Sequence, residues 1–119
     1  MSNNARFGFV LEYVADIEAA RRFYVDELGL AVERSAPTFV QFANFAIASD
    51  ESMSGTREPE IYWIVEHADA AFGDLSRKAE VSVPIRQMPF GKVFAIKDPE
   101  GQPQYFIEFA QDRPSRPAR

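Results

Sequence analysis

The sequence predicts an α+β fold made of two copies of one module, each a strand, a helix and three more strands. Two observations carry this. Runs rich in aromatic and β-branched residues give way to apolar residues spaced three and four apart, then return, and the whole order occurs twice. The two halves also overlay at an offset of 51 residues, so that Val14 falls on Val65, Ala19 on Ala70, Ala20 on Ala71 and Tyr24 on Leu75. A ferredoxin-like α+β sandwich is the alternative, and it leaves some of the strands below without a place.

Residues 6–14, RFGFVLEYV, read as the first strand. Asp16 supplies a helix N-cap oxygen and Glu18 puts negative charge in the first turn. Ile17, Ala20, Phe23, Tyr24 and Leu28 form the apolar stripe of that helix, and Gly29 sits where a C′ glycine closes it. Ala31–Arg34 is expected as the second strand, Thr38–Phe42 as the third and Phe45–Ser49 as the fourth. Ala43-Asn44 forms the tight turn between the last two, with Asn44 accepting a positive φ. Residues 50–59, DESMSGTREP, are the internal linker. The pattern then restarts: a strand over 61–66, and a helix over 68–79 with Ala68, Ala71, Phe72, Leu75 and Ala79 on one face. A strand over Val81–Arg86 has Pro84 marking an edge or bulge, and further strands cover Lys92–Lys97 and Tyr105–Ala110. Asp98-Pro99-Glu100-Gly101 is the turn before the last strand.

At 119 residues the chain is expected to be one domain over 1–110, with modules at about 5–49 and 60–110 and a disordered Pro- and Arg-rich tail over 111–119. A hydrophobic fraction of 46% is enough for a core. The net charge of −5 argues against a phosphate-backbone binder, so no nucleic acid is expected. With no cysteine, disulfides, thiolate metal sites and cysteine nucleophiles are excluded, and a single histidine excludes a multi-His metal site. There is no apolar run of ~18 residues and no signal-peptide pattern, so a cytoplasmic protein without membrane contact is expected. No nucleophile elbow, glycine-rich phosphate loop or Ser/His/Asp constellation is present.

The opening FVLEYVADIEAARRFYVDELGL resembles the start of the vicinal oxygen chelate superfamily, which includes glyoxalase I, bleomycin-resistance proteins and extradiol dioxygenases. The resemblance lies in Asp16, the Phe23-Tyr24 pair and Leu28-Gly29. The ending, FAIKDPEGQPQYFIEF, resembles the family's final hairpin, with Asp98, Pro99 and Gly101 in the turn and Glu108 after it, seven residues past the glycine rather than the usual four or so. The resemblance implies a curled mixed sheet forming a cup, a glyoxalase/bleomycin-resistance-like fold, usually completed by a second chain, so a homodimer is expected. It also implies four metal-ligand positions in the metal-dependent members. Here these fall on Phe9, Glu60, the Ala46–Ala48 stretch and Glu108.

Phe9 and the alanines cannot bind a metal. Glu60 and Glu108 alone suit at most a hard, oxygen-preferring divalent ion. Glu60 also reads as a solvated residue at a strand start. Glu108, between Ile107 and Phe109, is expected opposite them, toward the cup. His67 overlays Asp16 and reads as a capping or loop residue rather than a general base. Phe7, Phe9 and Tyr13 share one face of the first strand, and with Phe39, Trp63, Phe94, Phe106 and Glu108 they are the candidate ligand-binding residues of an aromatic cup. The expected partner is a small organic molecule, with the acidic balance favouring a cationic one. The favoured reading is a binding or sequestering protein with no cofactor. The alternative is a divalent-metal-dependent lyase, isomerase or dioxygenase, and a third is an interaction module whose cup is filled by its own side chains.

Overall fold

The computed structural model describes residues 5–110, so the tail expected over 111–119 lies outside the described residues. Among the described residues, contacts give two compact units, Gly8–Ile61 and residues 62–110 together with 5–7. The element order is strand, helix, three strands, twice. The first module has β1 (Arg6–Tyr13), α1 (Ile17–Arg22) running on as a π-helical segment Phe23–Glu27, β2 (Arg34–Ala36), β3 (Phe39–Gln41) and β4 (Phe45–Ala48). The second has β5 (Glu60–Ile64), α2 (Ala68–Leu75), β6 (Val81–Met88), β7 (Gly91–Lys97) and β8 (Pro103–Phe109). Each module is a mixed sheet. In the first, β1 lies parallel to β4, while β2–β3 and β3–β4 are antiparallel. In the second, β5 lies parallel to β8, with β6–β7 and β7–β8 antiparallel. The parallel pair needs a long crossover, which the helix and two further strands supply.

Local chemistry explains most of these boundaries. Asp16 caps α1 by accepting the Ala19 N–H at 3.0 Å. The helix ends at Gly29, whose φ of +75° lets the Leu30 N–H reach back to the Tyr24 carbonyl. Pro84 lies where the β6–β7 register shifts, so the missing proline N–H falls on an irregular stretch. Asp98 closes the final turn: its carboxylate accepts the N–H groups of Glu100 and Gln102, and its carbonyl accepts that of Gly101.

Two element boundaries and one turn differ most from expectation. β2 forms at Arg34–Ala36 rather than Ala31–Arg34, because the Pro37-Thr38 turn pairs Ala36 with Phe39 and the ladder grows from the turn. α2 stops at Leu75 rather than running to 79, and both Lys78 and Ala79 donate to the Leu75 carbonyl in a tightening turn. Asn44 does not take a positive φ. Its side-chain amide instead donates to the Gly8 carbonyl at 2.9 Å and its own carbonyl accepts from Val10, tying the β3–β4 turn to β1.

Each sheet buries one face under its helix. In the first module Val40, Phe42 and Ile47 pack with Val14, Ile17, Ala20 and Tyr24. In the second, Val65, Ala68, Ala71, Phe94, Ile96 and Phe106 pack together. Because side chains alternate along a strand, these sets fix which residues face away from the helix.

Candidate functional site

Just past β1, Val14 packs on the α1 side, so Phe9, Leu11 and Tyr13 stand on the opposite face of the first module. Val40 and Ile47 likewise leave Phe39, Gln41, Ala46 and Ala48 on that face. Phe9 is 1% exposed and its ring meets that of Phe39 at 5.8 Å between centroids. Tyr13 donates its hydroxyl to Oε1 of Glu60 at 2.7 Å. Oε2 of the same carboxylate accepts the Ser54 N–H at 3.0 Å. The Arg57 guanidinium lies 6.0 Å above the Tyr13 ring. At the β2 end, Arg34 donates from Nε to Gln41 Oε1, and Gln41 donates to the Ala43 carbonyl. The face is therefore aromatic at its centre, with a buried carboxylate and two guanidinium groups around it.

Glu60 is not the solvated strand-start residue that its sequence context suggests, since it is 2% exposed. Its burial is compensated by the Tyr13 hydroxyl and the Ser54 amide, the pairing that a desolvated carboxylate requires. Arg57, Ser54, Gln41 and Arg34 were not legible as site residues. The linker offers no periodicity, and only its Gly55 hints at an ordered turn.

The second module corrects four expectations. Trp63, Phe94, Phe106 and Glu108 all face α2 rather than the opposite side. Phe94 is fully buried, stacks on Phe106 at 5.0 Å and meets Phe72 of α2 edge-on at 5.2 Å. Trp63 packs against the same cluster and donates its indole N–H to Gln104 Oε1 at 2.8 Å. Phe7 is 43% exposed and meets Trp63 edge-on at 5.5 Å. Glu108 does lie opposite Ile107 and Phe109, but that is the helix side: its Oε1 accepts the Ala68 N–H at 2.8 Å. His67 holds the N-cap position of α2 without capping it through its side chain. The cap that Asp16 provides in the first module is thus supplied in the second by a carboxylate from β8. Lys92, opposite Glu108 on β7, pairs with Asp69 at 2.6 Å. Its ammonium pKa is raised by that hydrogen bond, by the charge of Asp69 and by the charge of Glu108.

These partners decide the fit of a metal ion. Phe9 and Ala46–Ala48 offer no side-chain donor. Both oxygens of Glu60 are engaged, and an oxygen of Glu108 caps a helix. Among the described residues no group of three or more His, Cys, Asp or Glu is placed to hold a metal ion. The residues at the four implied ligand positions do not fit a divalent ion.

Two further features lie outside this face. On the α1 side, Tyr24 donates its hydroxyl to Glu12 Oε1 at 2.9 Å, and burial together with that carboxylate pushes its phenol pKa up. In the second module an open hollow of about 590 Å³ is lined by Lys78, Glu80, Lys97 and Asp98 among others. Its cations are paired, Lys97 with Glu80 and Lys78 with Asp74. Among the described residues no helix is long and apolar enough to cross a membrane.

No family model matches the sequence, and no curated protein matches it. Solved structures do. A chain described as an NAD-dependent benzaldehyde dehydrogenase from Legionella pneumophila superposes with a TM-score of 0.70 at 20% identity, over 87% of this chain and 99% of that one. A glyoxalase/bleomycin resistance protein/dioxygenase superfamily member from Vibrio splendidus superposes with a TM-score of 0.58 at 18% identity, over 87% and 97%. Homoprotocatechuate 2,3-dioxygenase from Brevibacterium fuscum, in complex with 3,4-dihydroxyphenylacetate, gives a TM-score of 0.54 at 19% identity. That match covers 88% of this chain and 36% of the dioxygenase, so the chain spans about a third of that protein's length. At such identities the likeness is one of fold.

Proposed function

We propose that this chain, which has the fold of the vicinal oxygen chelate superfamily, binds a small planar organic molecule on the aromatic face of its first module without a divalent ion. The observation that carries the reading is the pairing of Phe9, Phe39 and Tyr13 on one face with a carboxylate whose oxygens are already taken by protein donors. An aromatic wall with a few placed polar groups is the usual chemistry of a small-molecule site. Phe9 is the floor of that wall, and Phe39 and Tyr13 keep partial exposure for stacking. The nicotinamide activity named for the Legionella chain is not carried over, because the sequence has no glycine-rich phosphate loop.

The dioxygenase likeness keeps one rival reading, a metal-dependent lyase, isomerase or dioxygenase, in which a bound ion polarises a substrate oxygen. Elemental analysis of the untagged, undialysed protein separates the two, followed by thermal melts with Mg²⁺, Mn²⁺, Zn²⁺ and Fe²⁺. The binding reading expects no stoichiometric metal and no ion-specific stabilisation. It also expects planar aromatics to shift the NMR resonances of Tyr13 and Phe39. One equivalent of metal that also stabilises the fold overturns it in favour of the enzyme.

A further inference from the structure

We propose that Arg57 recognises an acidic group on the planar ligand, and that buried Glu60 latches the strap that carries it. The proposal rests on the binding reading above and adds a charge and a position to it. The strap is the stretch from Ser52 to Glu58, within the linker between the modules.

Three observations converge there. First, among the described residues the Arg57 side chain makes no ion pair and no hydrogen bond, and its one partner is the face of Tyr13. A guanidinium carries five donors in a planar fork that matches a carboxylate, so a cation so placed is a binding site for an anion. Second, Arg57 is the one non-glycine residue with positive φ among the described residues, at 63°. Such a backbone is unfavourable for a side chain with a Cβ and persists only where the surroundings hold it. They do: the Arg57 N–H donates to Ser52 Oγ, the Thr56 N–H to Ser54 Oγ and the Glu58 N–H to Thr56 Oγ1. Third, one carboxylate fastens both the strap and the ring beneath it. Glu60 takes the Ser54 N–H on one oxygen and the Tyr13 hydroxyl on the other, so Arg57 and Tyr13 are set against each other before any ligand arrives.

The local charge reverses the expectation from composition. A net charge of −5 spread over the surface is screened within about 8–10 Å at ordinary ionic strength. A cationic ligand stacked on Tyr13 meets the Arg57 guanidinium at close range, whereas an anionic one meets its counter-ion there, the Glu60 carboxylate being taken up by its own donors.

The test is an NMR titration of the protein with benzoate, benzamide and benzylamine, three ligands of one shape and different charge, repeated on Arg57→Gln. Benzoate is expected to bind at least about tenfold more tightly than the other two, and Arg57→Gln to remove that preference. Binding at Tyr13 without a preference for benzoate overturns the role of Arg57 and leaves the binding reading intact. So does a preference that survives Arg57→Gln. Failure of all three to bind overturns both. The latch has a readout that needs no ligand. In Glu60→Ala, which leaves no side-chain acceptor, the Ser54 amide is expected to exchange with solvent about tenfold faster, while the Val10 amide, bonded to Asn44, exchanges as before. Unchanged Ser54 exchange overturns the latch.

Discussion

Replacing Glu108 distinguishes a helix cap from a metal ligand. Its Oε1 accepts the Ala68 N–H at 2.8 Å in the first turn of α2, and the N-cap residue His67 makes no side-chain cap of its own. Glu108→Ala therefore removes a capping hydrogen bond, worth about 1 kcal/mol. It also removes an anion from the positive end of the helix, worth roughly 0.3–1 kcal/mol. Lys92 keeps Asp69, so its loss of a second acidic neighbour adds little. The expected destabilisation is about 1.5 kcal/mol, which for a domain of this size lowers Tm by roughly 5–9 °C. Glu108→Gln keeps a neutral acceptor oxygen and should lose about half as much. Circular dichroism melts of the parent and both variants, with and without EDTA, measure this. The cap predicts the same drops in either buffer. The reasoning is refuted if Glu108→Ala melts within about 1 °C of the parent, or if EDTA alone lowers the parent's Tm as far as the substitution does.

Phe94→Ala should be far costlier, about 3–5 kcal/mol in urea unfolding, because the ring is fully buried between Phe106 and Phe72. A loss below about 1.5 kcal/mol would contradict its place in the core. Gly91→Ala should cost more than about 2 kcal/mol: Gly91 has φ of +149°, and a Cβ there runs into the carbonyl oxygen of Glu108. A variant as stable as the parent would exclude that close approach. Tyr24 makes stability fall in alkali. Burial and the Glu12 carboxylate raise its folded pKa above the ordinary 10.0, so the unfolded chain ionises first. Its contribution is whole below about pH 10 and is lost as pH climbs through the folded value. Urea midpoints from pH 8 to 11 should decline less steeply in Tyr24→Phe than in the parent, and identical slopes would count against the Tyr24–Glu12 bond.

The order of elements was legible because it is written in local periodicity. The Asp16 cap, the Gly29 terminus, the Pro84 irregularity and the Asp98 turn all act within a few residues of themselves. The candidate site was legible in part. Phe9 and Tyr13 could be grouped because alternation along β1, with Val14 under α1, assigns their face, whereas Phe39 takes its place beside them only through the β3–β4 pairing. The same rule placed Glu108 on the face of the last strand opposite Ile107 and Phe109. It could not say that this face lies against α2, since alternation separates two faces without naming either.

Local sequence specifies two βαβββ modules, the helix and turn signals that bound them, and a chain without the residues for a thiolate or multi-histidine metal site. The roles of the two glutamates come from long-range packing. Glu60 is joined to Tyr13, 47 residues away, and Glu108 to Ala68, 40 residues away. A carboxylate's role follows from the donors that reach it, and donors at such separations are brought together by strand pairing and helix packing, which leave no mark in local spacing.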